Sequence, residues 1–127
     1  MNVFERFENG NLILPFASLH FASIVWSPHA VFEGVALKHL VTAKDTAGAF
    51  SYHLVRIDPH HKIGAHVHET QWETHEIIGG CGVCINNGEE LSYETGAISI
   101  FPAGVEHEVT AGGDGLYLFA KFIPALC

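Results

Sequence analysis

The chain has 127 residues, 48% of them hydrophobic, with six Lys and Arg against fourteen Asp and Glu and a formal net charge of −8. That length suits one domain able to bury about two-thirds of its unfolded surface. The few scattered cations exclude a basic footprint for nucleic acid or for an anionic membrane surface. No apolar stretch approaches the ~20 residues of a membrane-spanning helix. Glu5, Arg6 and Glu8 interrupt any secretory segment at the start, so the expected location is cytoplasmic.

Residues 1–32 read as an extension. Leu12–Phe16 and Leu19–Trp26 are apolar, with aromatics at Phe16, Phe21, Trp26 and Phe32. They are expected to form a short helix and a strand that lie over the domain of residues 33–127 or against a second copy of the chain. Val35–Val41 is the first strand expected in that domain. Ala49–Ile57, Ala97–Phe101 and Leu116–Ile123 alternate as strands do. Turn signals separate them at Asp58-Pro59, Asn86-Asn87-Gly88, Pro102-Ala103-Gly104 and Gly112-Gly113-Asp114-Gly115. Asn87-Gly88 suits a tight hairpin, because both positions tolerate positive φ. Many short strands at such spacing predict an all-β sandwich or barrel, and jelly rolls hide their edges in two packed sheets.

The cysteines invite a redox or zinc reading that the pattern does not support. Cys81 and Cys84 fall on an expected strand, where residues three apart face opposite sides. Only Cys127 remains to complete a second pair. Structural, partly buried, reduced thiols are expected.

The histidines carry the chemistry. His66 and His68 project from one face of an extended strand, about 7 Å apart. A carboxylate from the next strand and His107, swung in by the Pro102-Ala103-Gly104 turn, would complete a mixed N/O site for a divalent ion with positions left open. Strict alternation puts Gln71, Glu73 and His75 on one face, so any of them is a candidate fourth ligand. Glu76 should point away. Tyr52 and His53 precede this region on a neighbouring strand, and one of the two should face the interior. His60 and His61 are expected to be exposed, and His20, His29 and His39 to be structural or superficial. Arg56 and Lys62 read as a solvated rim. Trp72, Phe101 and Phe119 read as core.

At these residues the chain resembles the cupin superfamily. The first motif runs His66-x-His68, four residues, Glu73, six residues, Gly80, with His60 in the place of the opening glycine. The second runs Gly96, five residues, Pro102-x-Gly104, two residues, His107, with Ala111 where asparagine is common. The resemblance covers roughly residues 50–123. It implies a small double-stranded β-helix, an RmlC-like jelly roll. It also implies one divalent metal ion (Fe, Mn, Ni or Zn) on His66, His68, His107 and Glu73, because only Glu73 has both motif spacings. His75 then becomes an acid/base candidate beside Tyr52 and His53. The chemistry implied is that of a dioxygenase or a metal-assisted isomerase or lyase acting on a small polar molecule. The alternative is a non-catalytic cupin that binds or senses such a molecule. A homodimer is expected, because single-domain cupins often pair through N-terminal strands.

Overall fold

The computed structural model describes Met1–Cys127. A helix α1 (Val3–Glu8) opens the chain, capped by the Asn2 side chain, which accepts from the Glu5 amide at 2.8 Å. Strands β1 (Asn11–Ile13) and β2 (Ser18–His20) form a separate hairpin, and a 3-10 turn (Phe21–Ser23) follows. The barrel is built from β3 (Ser27–Pro28), β4 (Val35–Val41), β5 (Ser51–Ile57), β6 (Lys62–His66), β7 (Trp72–Asn86), β8 (Glu89–Glu94), β9 (Ile98–Phe101) and β10 (His107–Ile123). A short helix, α2 (Ala43–Thr46), links β4 to β5. The helix near the start is therefore at Val3–Glu8, and the apolar stretches after it make the hairpin and the 3-10 turn instead. No helix is long and apolar enough to cross a membrane.

Two long strands organise the barrel. β7 and β10 pair antiparallel, and each changes partner midway. β7 pairs with β9 over Glu73–Glu76 and with β8 over Cys81–Asn86. β10 pairs with β6 near His107–Thr110 and with β5 over Leu116–Phe122. The continuous sheet thus folds over itself into the two facing layers of a jelly roll. Gly112–Gly115, read from its glycines as a turn between strands, is instead the bend within β10, where the register against β7 shifts. At that bend Gly80 and Gly115 meet, both at positive φ, and a Cβ on Gly80 would run into the Gly115 carbonyl. Asn87 and Gly88, at φ of 51° and 82°, close the β7–β8 hairpin.

Side-chain parity divides the core into two. Val55, Ile57, Ile77, Phe101, Leu116, Leu118 and Phe122 fill the interior. Leu40, Leu54 and Phe119 belong to a second cluster, which Phe4 and Phe21 of the N-terminal segment complete. Burying each of those two rings contributes about 1.5–3 kcal/mol, and edge contacts such as Phe7 on Phe119 at 4.7 Å add to it. Phe101 and Phe119 are core residues, but Trp72 is not. It stands at the outer edge of β7, half exposed, because its neighbour Glu73 takes the inward position.

Candidate metal centre

Parity and pairing bring the donors together. His66 ends β6 opposite His107, the first residue of β10. Glu73 and His75 occupy successive inward positions of β7 and are almost fully buried, whereas Glu76 turns outward to Lys121. One donor atom from each of His66, His68, Glu73 and His107 lies within 4.8 Å of those of the other three. His107 Nε2 is 2.8 Å from Glu73 Oε1, and His68 Nε2 is 3.4 Å from the same oxygen. The Phe101 ring stacks on His107 at 4.0 Å and fixes its plane.

Backbone carbonyls decide the tautomers. His66 Nδ1 donates to the Gly64 carbonyl at 2.7 Å, and His107 Nδ1 donates to the Val105 carbonyl at 3.1 Å. A carbonyl only accepts, so each ring carries its proton on Nδ1 and keeps the Nε2 lone pair free. Burial, ahead of the neighbouring imidazoles, depresses His66 and His68 below their ordinary range and favours the neutral form. Burial alone would raise the Glu73 carboxyl, but the His75 imidazole, and that of His107 whenever its Nε2 carries a proton, outweigh it and hold the group well below the usual carboxylate range. A buried carboxylate therefore faces imidazole lone pairs. Two acceptors at 2.8 Å repel unless a proton or a cation lies between them. One proton would serve one pair, whereas a divalent ion satisfies all four donors together. The residues fit such an ion.

His75 supports this arrangement from behind. Its Nε2 donates to Glu73 Oε2 at 2.9 Å, and its Nδ1 accepts from the Tyr93 hydroxyl at 3.0 Å. Burial pushes the Tyr93 hydroxyl far above its ordinary range, so that proton stays in place. A carboxylate oriented by a hydrogen-bonded imidazole is a common device around bound metals.

One cavity of about 150 Å³ opens beside the donors, walled by Leu37, Val55, Ile63, Leu118, Phe122 and Leu126. No Lys or Arg lines it. A larger groove of about 680 Å³, between α1 and the outer face of β4 and β5, holds none of the donors.

The other candidates scatter. Tyr52 faces the outer cluster, with Lys121 over its ring at 4.6 Å, whereas His53 is the inward member of the pair and fully buried. His53 stands behind Phe122, whose ring is 5.6 Å away, and meets Ser51 and His39 rather than the donors around Glu73. The Gln71 amide donates to the Ala125 carbonyl at 2.9 Å, which occupies its donor away from the cluster. Arg56 lies over Trp26 at 4.4 Å, and Lys62 pairs with Glu108 at 3.2 Å. Cys81 is exposed and Cys84 buried, as their three-residue separation requires. His60 and His61 are exposed, and His60 has a φ of 63°, a conformation suited to the glycine that the motif carries there.

His29 was missed. It lines the cavity, and its Nδ1 accepts from the Val31 and Phe32 amides at 3.0 and 3.2 Å, so the proton sits on Nε2. Nothing local in the sequence marks it, because β3 carries it there by pairing with β4.

The fold and its site define a small β-barrel in which three histidines and a glutamate converge beside an apolar cavity. Residues 53–119, more than half of the chain, match the family model described as Cupin domain. The chain belongs to the cupin family. No curated protein sequence matches it. Among solved structures it is similar to a predicted oxalate decarboxylase from Thermotoga maritima, at 22% identity and a TM-score of 0.74 over 81% of this chain and 95% of that one. KdgF from Halomonas sp. aligns at 18% identity and 0.69, over 79% and 86%. An RmlC-like cupin from Shewanella frigidimarina aligns at 15% and 0.70, over 83% and 87%. At these identities the likeness is one of fold.

Proposed function

We propose that the chain is a metal-dependent oxygenase of a small chelating molecule, with one divalent ion per chain on His66, His68, His107 and Glu73. The observation that carries this reading is the buried Glu73 carboxylate facing imidazole lone pairs. A bound divalent ion supplies Lewis acidity and, where it is redox-active, one-electron chemistry.

The chain's own residues supply the rest. Glu73 balances charge, and His75 with Tyr93 holds its carboxylate in one orientation. The cavity has the volume of about five water molecules, so it favours a compact ligand whose apolar flank meets Leu118 and Phe122. His29 offers one N–H donor to that ligand. No cation is present to pair a second carboxylate, which supports an uncharged or monoanionic chelate. The Thermotoga neighbour, described as a predicted oxalate decarboxylase, works on the same fold with a different named chemistry.

Oxygenase chemistry is favoured over isomerase or lyase chemistry by the state of His75. A base that takes a proton from substrate needs a free nitrogen at the cavity, and both nitrogens of His75 are engaged. The test is anaerobic reconstitution of chelated protein with Fe(II), Mn(II), Ni(II) or Zn(II), followed by oxygen uptake with small 2-oxo acids and β-diketones. Uptake with Fe(II) and a compact chelate is expected. Tight binding without turnover under every metal would move the protein to the ligand-binding class.

We also propose a homodimer. Phe16, Ile13 and Val25 of the N-terminal segment are 99%, 81% and 81% exposed, an apolar surface that a second copy would cover. Sedimentation at micromolar concentration should give twice the chain mass, and a monomer mass would count against it.

A further inference from the structure

A second group of metal-binding side chains lies outside the cavity. The ladder between β4 and β5 sets His39 directly opposite His53. Their Nδ1 atoms are 2.7 Å apart, and Cys127 Sγ is 3.8 Å from His39 Nδ1. The three donor atoms all lie within 4.8 Å of one another. From this geometry we propose that His39, His53 and Cys127 form a second metal site, for a borderline or soft divalent ion of which zinc is representative.

The spacing is close to that of a bound ion. With Zn–N near 2.0–2.1 Å and Zn–S near 2.3 Å, tetrahedral ligands stand about 3.3 Å apart for N···N and about 3.6 Å for N···S. The separation of the sulfur from His39 already fits, and the two imidazoles need to part by about 0.6 Å. In the metal-free chain one proton bridges the two Nδ1 atoms. On binding, the thiol proton leaves to solvent, the bridging proton moves by way of solvent to the Nε2 of the ring that held it, and the ion takes its place among the three donors. His53 Nε2 then donates to Ser51 Oγ, 2.7 Å away, the arrangement by which a neighbouring group orients a ligating imidazole. Two nitrogens and a thiolate select zinc-like ions over magnesium or manganese, whereas the Glu73 centre offers three nitrogens and a carboxylate.

The site is distinct from the first but touches its wall. Phe122 separates them, with its ring 5.6 Å from His53 and 5.0 Å from His68. Cys127 follows Leu126, which lines the cavity and whose amide donates to Ser51 Oγ at 2.8 Å. An ion on Cys127 would therefore fix the segment that closes the cavity.

Co(II) titration of the full chain separates the outcomes. A thiolate-to-cobalt charge-transfer band in the near ultraviolet is expected in the wild type. It should persist in the His66→Ala/His107→Ala variant and in Cys81→Ser, and vanish in Cys127→Ser, whose exposed side chain can be replaced without unfolding. Zinc content should fall by one equivalent per chain from the wild type to Cys127→Ser. Absence of the band in the wild type, or its survival in Cys127→Ser, would overturn the proposal. Neither result depends on the first centre, since the thiolate band has no source there.

Discussion

Two histidine clusters sit on either side of Phe122, and they answer the cost of burial differently. Around Glu73, backbone carbonyls hold the Nδ1 protons of His66 and His107, so their lone pairs converge on a carboxylate, an arrangement that the proposed cation would complete. At His39 and His53 the two rings face each other and share a proton, so the pair is satisfied on its own. The lesson is that crowding histidines does not by itself define a metal centre. What counts is where each second nitrogen is anchored. The first cluster presents converging donors that fit an ion, and the second is the pair proposed above to exchange its bridge for one.

The largest expected effect comes from removing the group at the centre of the first cluster. Glu73→Gln keeps the shape but gives the imidazoles a neutral partner. Metal affinity should fall by more than the ~10–100-fold that outer-shell changes cost, measured by competition with a chromophoric chelator. An unchanged affinity would place the ion elsewhere.

The second cluster should dominate acid sensitivity in the chelated protein. Burial, ahead of His39, lowers His53 to about 4. Between pH 6.5 and 4 the unfolded chain binds a proton at this residue that the folded chain refuses, so stability falls as pH falls through that window and rises with pH. At about 1.4 kcal/mol per unit the loss approaches ~3 kcal/mol from this residue. Denaturant unfolding of His53→Phe should show a flatter slope over that window, and an unaltered slope would show that His53 is not the group responsible.

How much of this was legible in the sequence depends on the range of the interaction. Strand parity and motif spacing are local, and they placed Val35–Val41, the Asn87-Gly88 hairpin and the separation of Cys81 from Cys84. Parity also limited the inward candidates at the start of β7 and just before it to Gln71, Glu73 and His75, with Glu73 selected by the family spacing. Gly112–Gly115 was misread because glycine's freedom in φ serves a bend within a strand as well as a turn between strands. Trp72 was assigned to the core on size alone, although its parity opposes that of Glu73. The approach of His39 to His53, and of His29 to the cavity, depends on pairing between distant segments, which no local pattern reports.

Smaller effects sharpen the contrast. His75→Phe removes the donor that orients Glu73 while filling its space, so metal affinity should drop by about 10–100-fold with the fold retained. A near-ultraviolet spectrum like the wild type's, together with the weaker binding, would identify positioning as the cause. His29→Ala should leave metal content alone and raise KM by about 2–10-fold, the value of one lost hydrogen bond. A change in metal content instead would make His29 a ligand.

The most direct test of the central claim is elemental analysis of protein purified without chelator, comparing wild type, Cys127→Ser and Cys127→Ser carrying His66→Ala and His107→Ala. With the second cluster disabled, one divalent ion per chain is predicted for Cys127→Ser and none for the triple variant, with the same β-type circular dichroism in both. A full equivalent retained by the triple variant would contradict the assignment of the ion to His66, His68, His107 and Glu73.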